Sequence, residues 1–179
     1  MLNLIGMLVG FLLFVSIAYA GVLSYYGKIV GIVEVQGPVF YADSTYLVGV
    51  YYKMKINEVG TGSVTLLDGN RIVFVTDPLG ISSWYPATWN VYVNVSVSDS
   101  GSLSAIRIKR VSQNFGEYTI CGWEGISLNP GENSIQLNCT RGQLSFDTTD
   151  RLGLEIAGGG TLTYTIYTDG STRIEVSPA

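Results

Sequence analysis

The side chains able to do chemistry in this chain are few, and the most informative type is the one that is missing: none of the 179 residues is histidine. That removes the commonest general base, the nucleophile arrangements built on Ser-His or Cys-His, and the usual zinc ligands. Two cysteines cannot form a four-thiolate site, and with no C-x-x-C they offer no redox motif. Carboxylates are what remains, since a pair of them can hydrolyse a glycosidic bond. Yet Asp43, Asp68, Asp77, Asp99, Asp147, Asp150 and Asp169 mostly fall among turn-forming residues, where aspartate has a structural role. Asp147-Thr148-Thr149-Asp150 lacks the acidic density of a calcium loop. The expectation is a protein with no catalytic residues, no metal and no cofactor, and therefore not an enzyme.

Three other groups of residues carry more information. Cys121 and Cys139 are an even pair, expected to form a disulfide closing a loop of about 19 residues, worth ~3 kcal/mol in the chain-entropy account. Asn94-Val95-Ser96 and Asn138-Cys139-Thr140 fit the N-glycosylation pattern, and strand phase places both Asn94 and Asn138 opposite the apolar face. Trp84, Tyr85 and Trp89 crowd a turn-rich segment. Such aromatics pack a sandwich edge, or stack on a sugar ring or a protein partner.

The elements that must position these residues are strands. From Gly21 onward the chain is rich in Val, Ile, Thr, Tyr and Gly and has no amphipathic stretch of helical period. Alternation is explicit in Val91-Tyr92-Val93-Asn94-Val95-Ser96-Val97, in Tyr164 and Ile166 against Thr163 and Thr165, and in Ile106 and Ile108 against Arg107 and Lys109. Asp68-Gly69-Asn70 and Asp169-Gly170 are read as hairpin turns, and Asn129-Pro130-Gly131 as a further turn. The fold predicted is all-β: one antiparallel β-sandwich or jelly roll of about nine to twelve strands, spanning 21–179, behind one N-terminal hydrophobic helix.

That helix comes from residues 1–20, which carry no charged side chain. Ala18-Tyr19-Ala20 is a signal-peptidase pattern predicting cleavage before Gly21, and continuation through Val22 and Leu23 gives the length of a retained membrane anchor. Both alternatives put the rest of the chain outside the cytoplasm, in an extracellular or cell-surface location, with membrane contact only through residues 1–20. The formal charge of -4 provides neither the basic surface nucleic acid requires nor a polybasic patch for anionic lipid.

Lys28-Ile29-Val30-Gly31-Ile32-Val33-Glu34-Val35 differs from the other strands in being nearly continuously apolar. It is a central core strand, or, lying near the mature N-terminus, a donor strand whose Ile29, Val30, Ile32, Val33 and Val35 complete a neighbour's sheet. Gly27-Lys28-Ile29-Val30-Gly31, Val35-Gln36-Gly37-Pro38-Val39-Phe40-Tyr41-Ala42 and the closing Asp150–Ile156 and Tyr167–Gly170 stretches resemble archaeal secreted β-sandwich surface proteins, among them bundling-pilus and TasA-like filament subunits. The resemblance implies a signal, a donor strand and a jelly roll. The expected function is an extracellular structural subunit of a filament or coat, a homo-oligomer or polymer. The alternatives are a lectin-like or adhesin module with a glycan ligand at Trp84, Tyr85 and Trp89, and a membrane-anchored accessory subunit of an exported complex.

Overall fold

Hydrophobic alternation becomes thirteen strands and no helix in the computed structural model, which describes residues 37–67 and 69–179. In chain order these are β1 (Val39–Val48), β2 (Tyr51–Ile56), β3 (Ser63–Leu66), β4 (Arg71–Val75), β5 (Ser83–Trp84), β6 (Ala87–Val97), β7 (Gly101–Val111), β8 (Glu117–Leu128), β9 (Gly131–Arg141), β10 (Leu144–Ser145), β11 (Arg151–Gly159), β12 (Tyr164–Tyr167) and β13 (Arg173–Pro178). The protein is all-β over these residues. The hydrophobic segment 1–20, the donor-strand candidates Ile29, Val30, Ile32, Val33 and Val35, and Asp68 lie outside them.

Eleven strands form one hydrogen-bonded path, β3-β12-β6-β13-β1-β2-β4-β11-β7-β8, with β9 added to β6, while β5 and β10 make a separate two-stranded ladder. β6 shows how the pattern is used. Trp89, Val91, Val93 and Val95 are buried, whereas Thr88, Asn90, Tyr92, Asn94 and Ser96 between them are only partly so. The buried row joins Phe40, Phe74, Ile106, Ile108, Leu152, Leu154 and Ile156 in one core contributed by distant stretches of the chain.

Pairing departs from expectation in three places. Thr161–Thr168 and Thr172–Val176 were expected to form a hairpin. Instead, β12 and β13 both pair with β6, Ile166 opposite Val95 and Arg173 opposite Tyr92, so that they run along it as one interrupted strand. Nor do the strands flanking Asp68-Gly69-Asn70 pair: β3 joins β12, and β4 joins β11 and β2. The β2–β4 ladder is parallel, Tyr51 opposite Val73 and Lys53 opposite Val75, against an expectation of antiparallel pairing throughout. The physical reason is common to all three. Alternation fixes which face of a strand is apolar and turn residues fix where the chain bends, but neither selects the neighbour.

β11 is buried on both faces. Leu152, Leu154 and Ile156 enter the main core, while Gly153 and Glu155 lie under the opposite face of the sheet. There Tyr51, Val73, Val75 and Val111 make a second, smaller apolar cluster. Phe115, held at a φ of 59°, brings its ring to 4.6 Å from that of Tyr51.

Candidate functional site

Of the three aromatics read either as sandwich-edge packing or as a surface for a ligand, two are core residues. Trp89 is 0% and Trp84 6% exposed, their ring centroids 5.1 Å apart, with Phe40 and Phe146 also against Trp84; Tyr85 alone, at 44%, reaches solvent. The assignment of a stacking surface to Trp84 and Trp89 is therefore corrected. Ala87, Trp89 and Val91 share the buried face of β6, and Trp84 of β5 packs against Trp89 there, which takes two large apolar rings out of water.

The two sequons differ. Asn138 is exposed on β9, opposite Asn90. Asn94 is half-buried, and its Nδ2, the atom a glycan would occupy, donates to Glu132 Oε1 at 2.6 Å.

The disulfide expected between Cys121 and Cys139 is present, with a Cα–Cα distance of 6.5 Å. Its position has a consequence that spacing did not reveal. Among the described residues β8 pairs only with β7, and β9 only with β6, so the two cysteines lie on strands that end different branches of the sheet. Beside them Trp123, Ile126, Ile135 and Leu137 stand half-buried against the main core. The bridge at one end and the Asn129–Pro130 turn at the other hold this side of the fold shut.

A charge network missed in the sequence crosses the second face of the sheet. Glu155 Oε2 accepts from Arg71 Nη1 and Lys109 Nζ, each at 2.6 Å, and Oε1 accepts from Arg107 Nη1 at 2.6 Å. Glu117 accepts from Arg71 and Lys109 at 2.6 Å and from the Tyr51 hydroxyl at 2.7 Å. Burial opposes ionisation of both carboxyls, but the cationic donors outweigh it, holding Glu117 at about 2 and Glu155 below the ordinary range. Burial and the bond to Glu117 push the Tyr51 hydroxyl up to about 12. These groups come from β2, β4, β7, β8 and β11, so no local motif announces them. A fully paired carboxylate is a structural one, without the free lone pairs or the raised pKa a general acid needs.

The sign of the resulting pH dependence follows. Glu117 titrates at about 2 when folded against an ordinary 4.5. Its contribution is complete above about pH 4.5 and is lost as pH falls toward 2. The thermal midpoint is expected to hold from pH 8 to 5 and drop steadily between pH 4.5 and 2.5. Glu117→Gln should flatten part of that drop, and circular-dichroism melts would show it. An unchanged midpoint down to pH 2.5 would contradict the pairing.

The most exposed apolar feature is the tip of the β1–β2 hairpin. Tyr46, Leu47 and Val48 are 58%, 44% and 52% exposed in succession, with Gly49 at a φ of 59° turning the chain. Tyr46 packs edge-on against Tyr52 at 5.6 Å. At the base of the hairpin, buried Asp43 accepts from the amide and hydroxyl of Thr45, from the Thr61 amide at 3.2 Å and from Lys55 Nζ at 3.1 Å. Burial opposes its ionisation, yet the Thr45 and Lys55 contacts hold its carboxyl at about 2. Beyond Ser44, the side of β1 turned away from β2 pairs with no strand among the described residues. The result is a protruding apolar edge fixed at its root. Leu47 and Val48 escape a reading of the sequence, because two apolar residues in a strand give no sign that they face water.

No family model and no curated protein matches this chain. Among solved structures it is similar in fold to two crystal structures of SACOL2612, a CocE/NonD family hydrolase from Staphylococcus aureus. The first has a TM-score of 0.59 and 9% identity over 82% of this chain, and the second 0.57 and 10% over 78%. The chain spans only 37% and 36% of the length of those hydrolases. The expectation that the protein is not an enzyme is corrected by this finding: a fold of this kind occurs within hydrolases. At these identities the likeness is one of fold.

Proposed function

We propose that the described domain is a β-sandwich of jelly-roll type, and that the exported chain is a subunit of a surface filament or coat joined by β-strand addition. The free β1 edge beyond Ser44 accepts the apolar segment of a second copy, with Ile29, Val30, Ile32, Val33 and Val35 supplying the side chains. The observation that carries this is the anchored, protruding hairpin. Exposed apolar strand edges are templates for added strands, and soluble proteins ordinarily blunt them with charge, proline or a bulge that turns the edge away. The edge does contain register shifts between Ala42 and Val48, but no charged side chain among Tyr46, Leu47 and Val48. β1 is ten residues long, so the tip is roughly 25–30 Å from Val39, where the chain leaves the apolar segment. A donor strand of one copy added to the β1 edge of the next makes a head-to-tail contact, which extends rather than closes.

Leu47→Lys in the full chain tests it. The unaltered protein should show regular filaments or sheets by negative-stain electron microscopy, and the variant dispersed particles, with its thermal midpoint within ~2 °C because the site is exposed. Filaments indistinguishable between the two proteins, or an unaltered protein monodisperse at every concentration, would sink the proposal.

A second reading is favoured by one finding: the same fold makes up about a third of a larger hydrolase chain. On that reading the domain is an accessory module of an exported complex, with the hairpin docking on a partner. Monodisperse protein that co-purifies with one partner, and loses it on Leu47→Lys, would favour this reading over the first.

A further inference from the structure

A recess of about 420 Å³ opens where the end of β9 and the strand β10 cross the ends of β7 and β8. Its floor is apolar, formed by Ile120, Phe146 and half-buried Leu144. Its walls carry two arginines and an exposed tyrosine, and no carboxylate among the described residues lines it. Both guanidinium groups are pinned to backbone carbonyls. Arg110 Nη1 donates to Ser145 O at 2.7 Å, and Arg141 Nε donates to Ile120 O at 2.8 Å. Arg110 is partly neutralised by Asp150, 3.6 Å from its Nε.

Arg141 is different. Most of the described cations, among them Lys53, Lys55, Arg71, Arg107, Lys109 and Arg173, have a carboxylate partner. Arg141, like Arg151, has none among the described residues, and its Nη1 and Nη2 donate to nothing there. Its guanidinium fork is unpaired and pre-oriented beside an apolar floor. Tyr118 lines the same recess, 57% exposed, with the Arg110 guanidinium carbon 4.5 Å from its ring centroid. The disulfide sets the spacing of the two walls, since Cys121 follows Ile120 and Cys139 precedes Arg141 by two residues.

We propose that this recess binds an anionic saccharide residue, its carboxylate or sulfate held by Nη1 and Nη2 of Arg141 and its ring lying against Tyr118. A planar fork matches a two-oxygen anion in bidentate fashion, and an exposed tyrosine ring offers an apolar face to the C–H groups of a sugar. The volume falls in the range of small-ligand sites. The site is separate from the hairpin tip and does not depend on assembly.

The test titrates the full chain by calorimetry with three trisaccharides: one of uronic acids, one neutral but sulfated, and one neutral and unmodified. Binding of either anionic probe without the neutral one is expected, and the probe that binds identifies the anion. Arg141→Gln should weaken that binding at least tenfold. Arg141→Lys, which keeps the charge but not the fork, should recover little of it, and Tyr118→Ala should weaken it independently. Arg141 is exposed, and unaltered melting of its variants will separate lost binding from lost fold. Equal affinity for the neutral trisaccharide, no binding of any probe, or unchanged affinity in Arg141→Gln would overturn the proposal.

Discussion

Glu155→Ala is expected to cost about 3–5 kcal/mol of stability, the largest loss of any single polar substitution in the described domain. Glu155 is 1% exposed and accepts from Arg71, Arg107 and Lys109 together. Removing it leaves three cations facing one another with only Glu117 and Glu124 to compensate. A drop in thermal midpoint on the order of 10 °C should follow. Glu124→Gln is the control: Glu124 also pairs with Arg107, at 2.8 Å, but is 73% exposed, and its loss should stay within ~0.5 kcal/mol. Urea titrations of the two variants measure the difference. A Glu155→Ala loss no larger than that of Glu124→Gln would mean that solvent reaches the network.

The second large effect belongs to the disulfide. Replacing both Cys121 and Cys139 with alanine should remove about 2–4 kcal/mol. The unfolded chain gains the freedom of a loop whose ends are 18 positions apart. The native state loses more than the entropy account includes, because β8 and β9 no longer hold each other along the side where Trp123, Ile126, Ile135 and Leu137 are half-buried. The reduced or double-alanine protein should therefore show a lower urea midpoint and also greater binding of a hydrophobic dye before unfolding. A midpoint unmoved by reductant would show that the Asn129–Pro130 turn alone keeps that side closed.

The places where sequence and structure agree share a cause. In β6 each residue's face follows from its parity, so the four valines could be assigned to the core from their spacing. The cysteine pair was legible because two thiols in one chain leave one intramolecular partner. The failures also share a cause. Whether Trp84 and Trp89 point inward depends on β1 and on Phe146, distant in sequence, closing over them. The Glu155 network needs five strands in register before any pair is recognisable. Arg141 reads in sequence as an ordinary surface cation, and only the crossing of β10 beneath it makes a wall of it. Chemistry carried by one strand was visible, and chemistry assembled across strands was not.

The pairing of β1 with β13, Val39 opposite Glu175 and Tyr41 opposite Arg173, bears on how the domain comes into being. These are the first and last described strands, and they sit side by side near the middle of the strand path. Among the described residues the β6 and β2 sides of the sheet are joined through this pair, so the sheet is complete only once β13 has docked. Closing a contact of such sequence separation is slow. Until β13 docks, the apolar strands on either side stay exposed to mispairing.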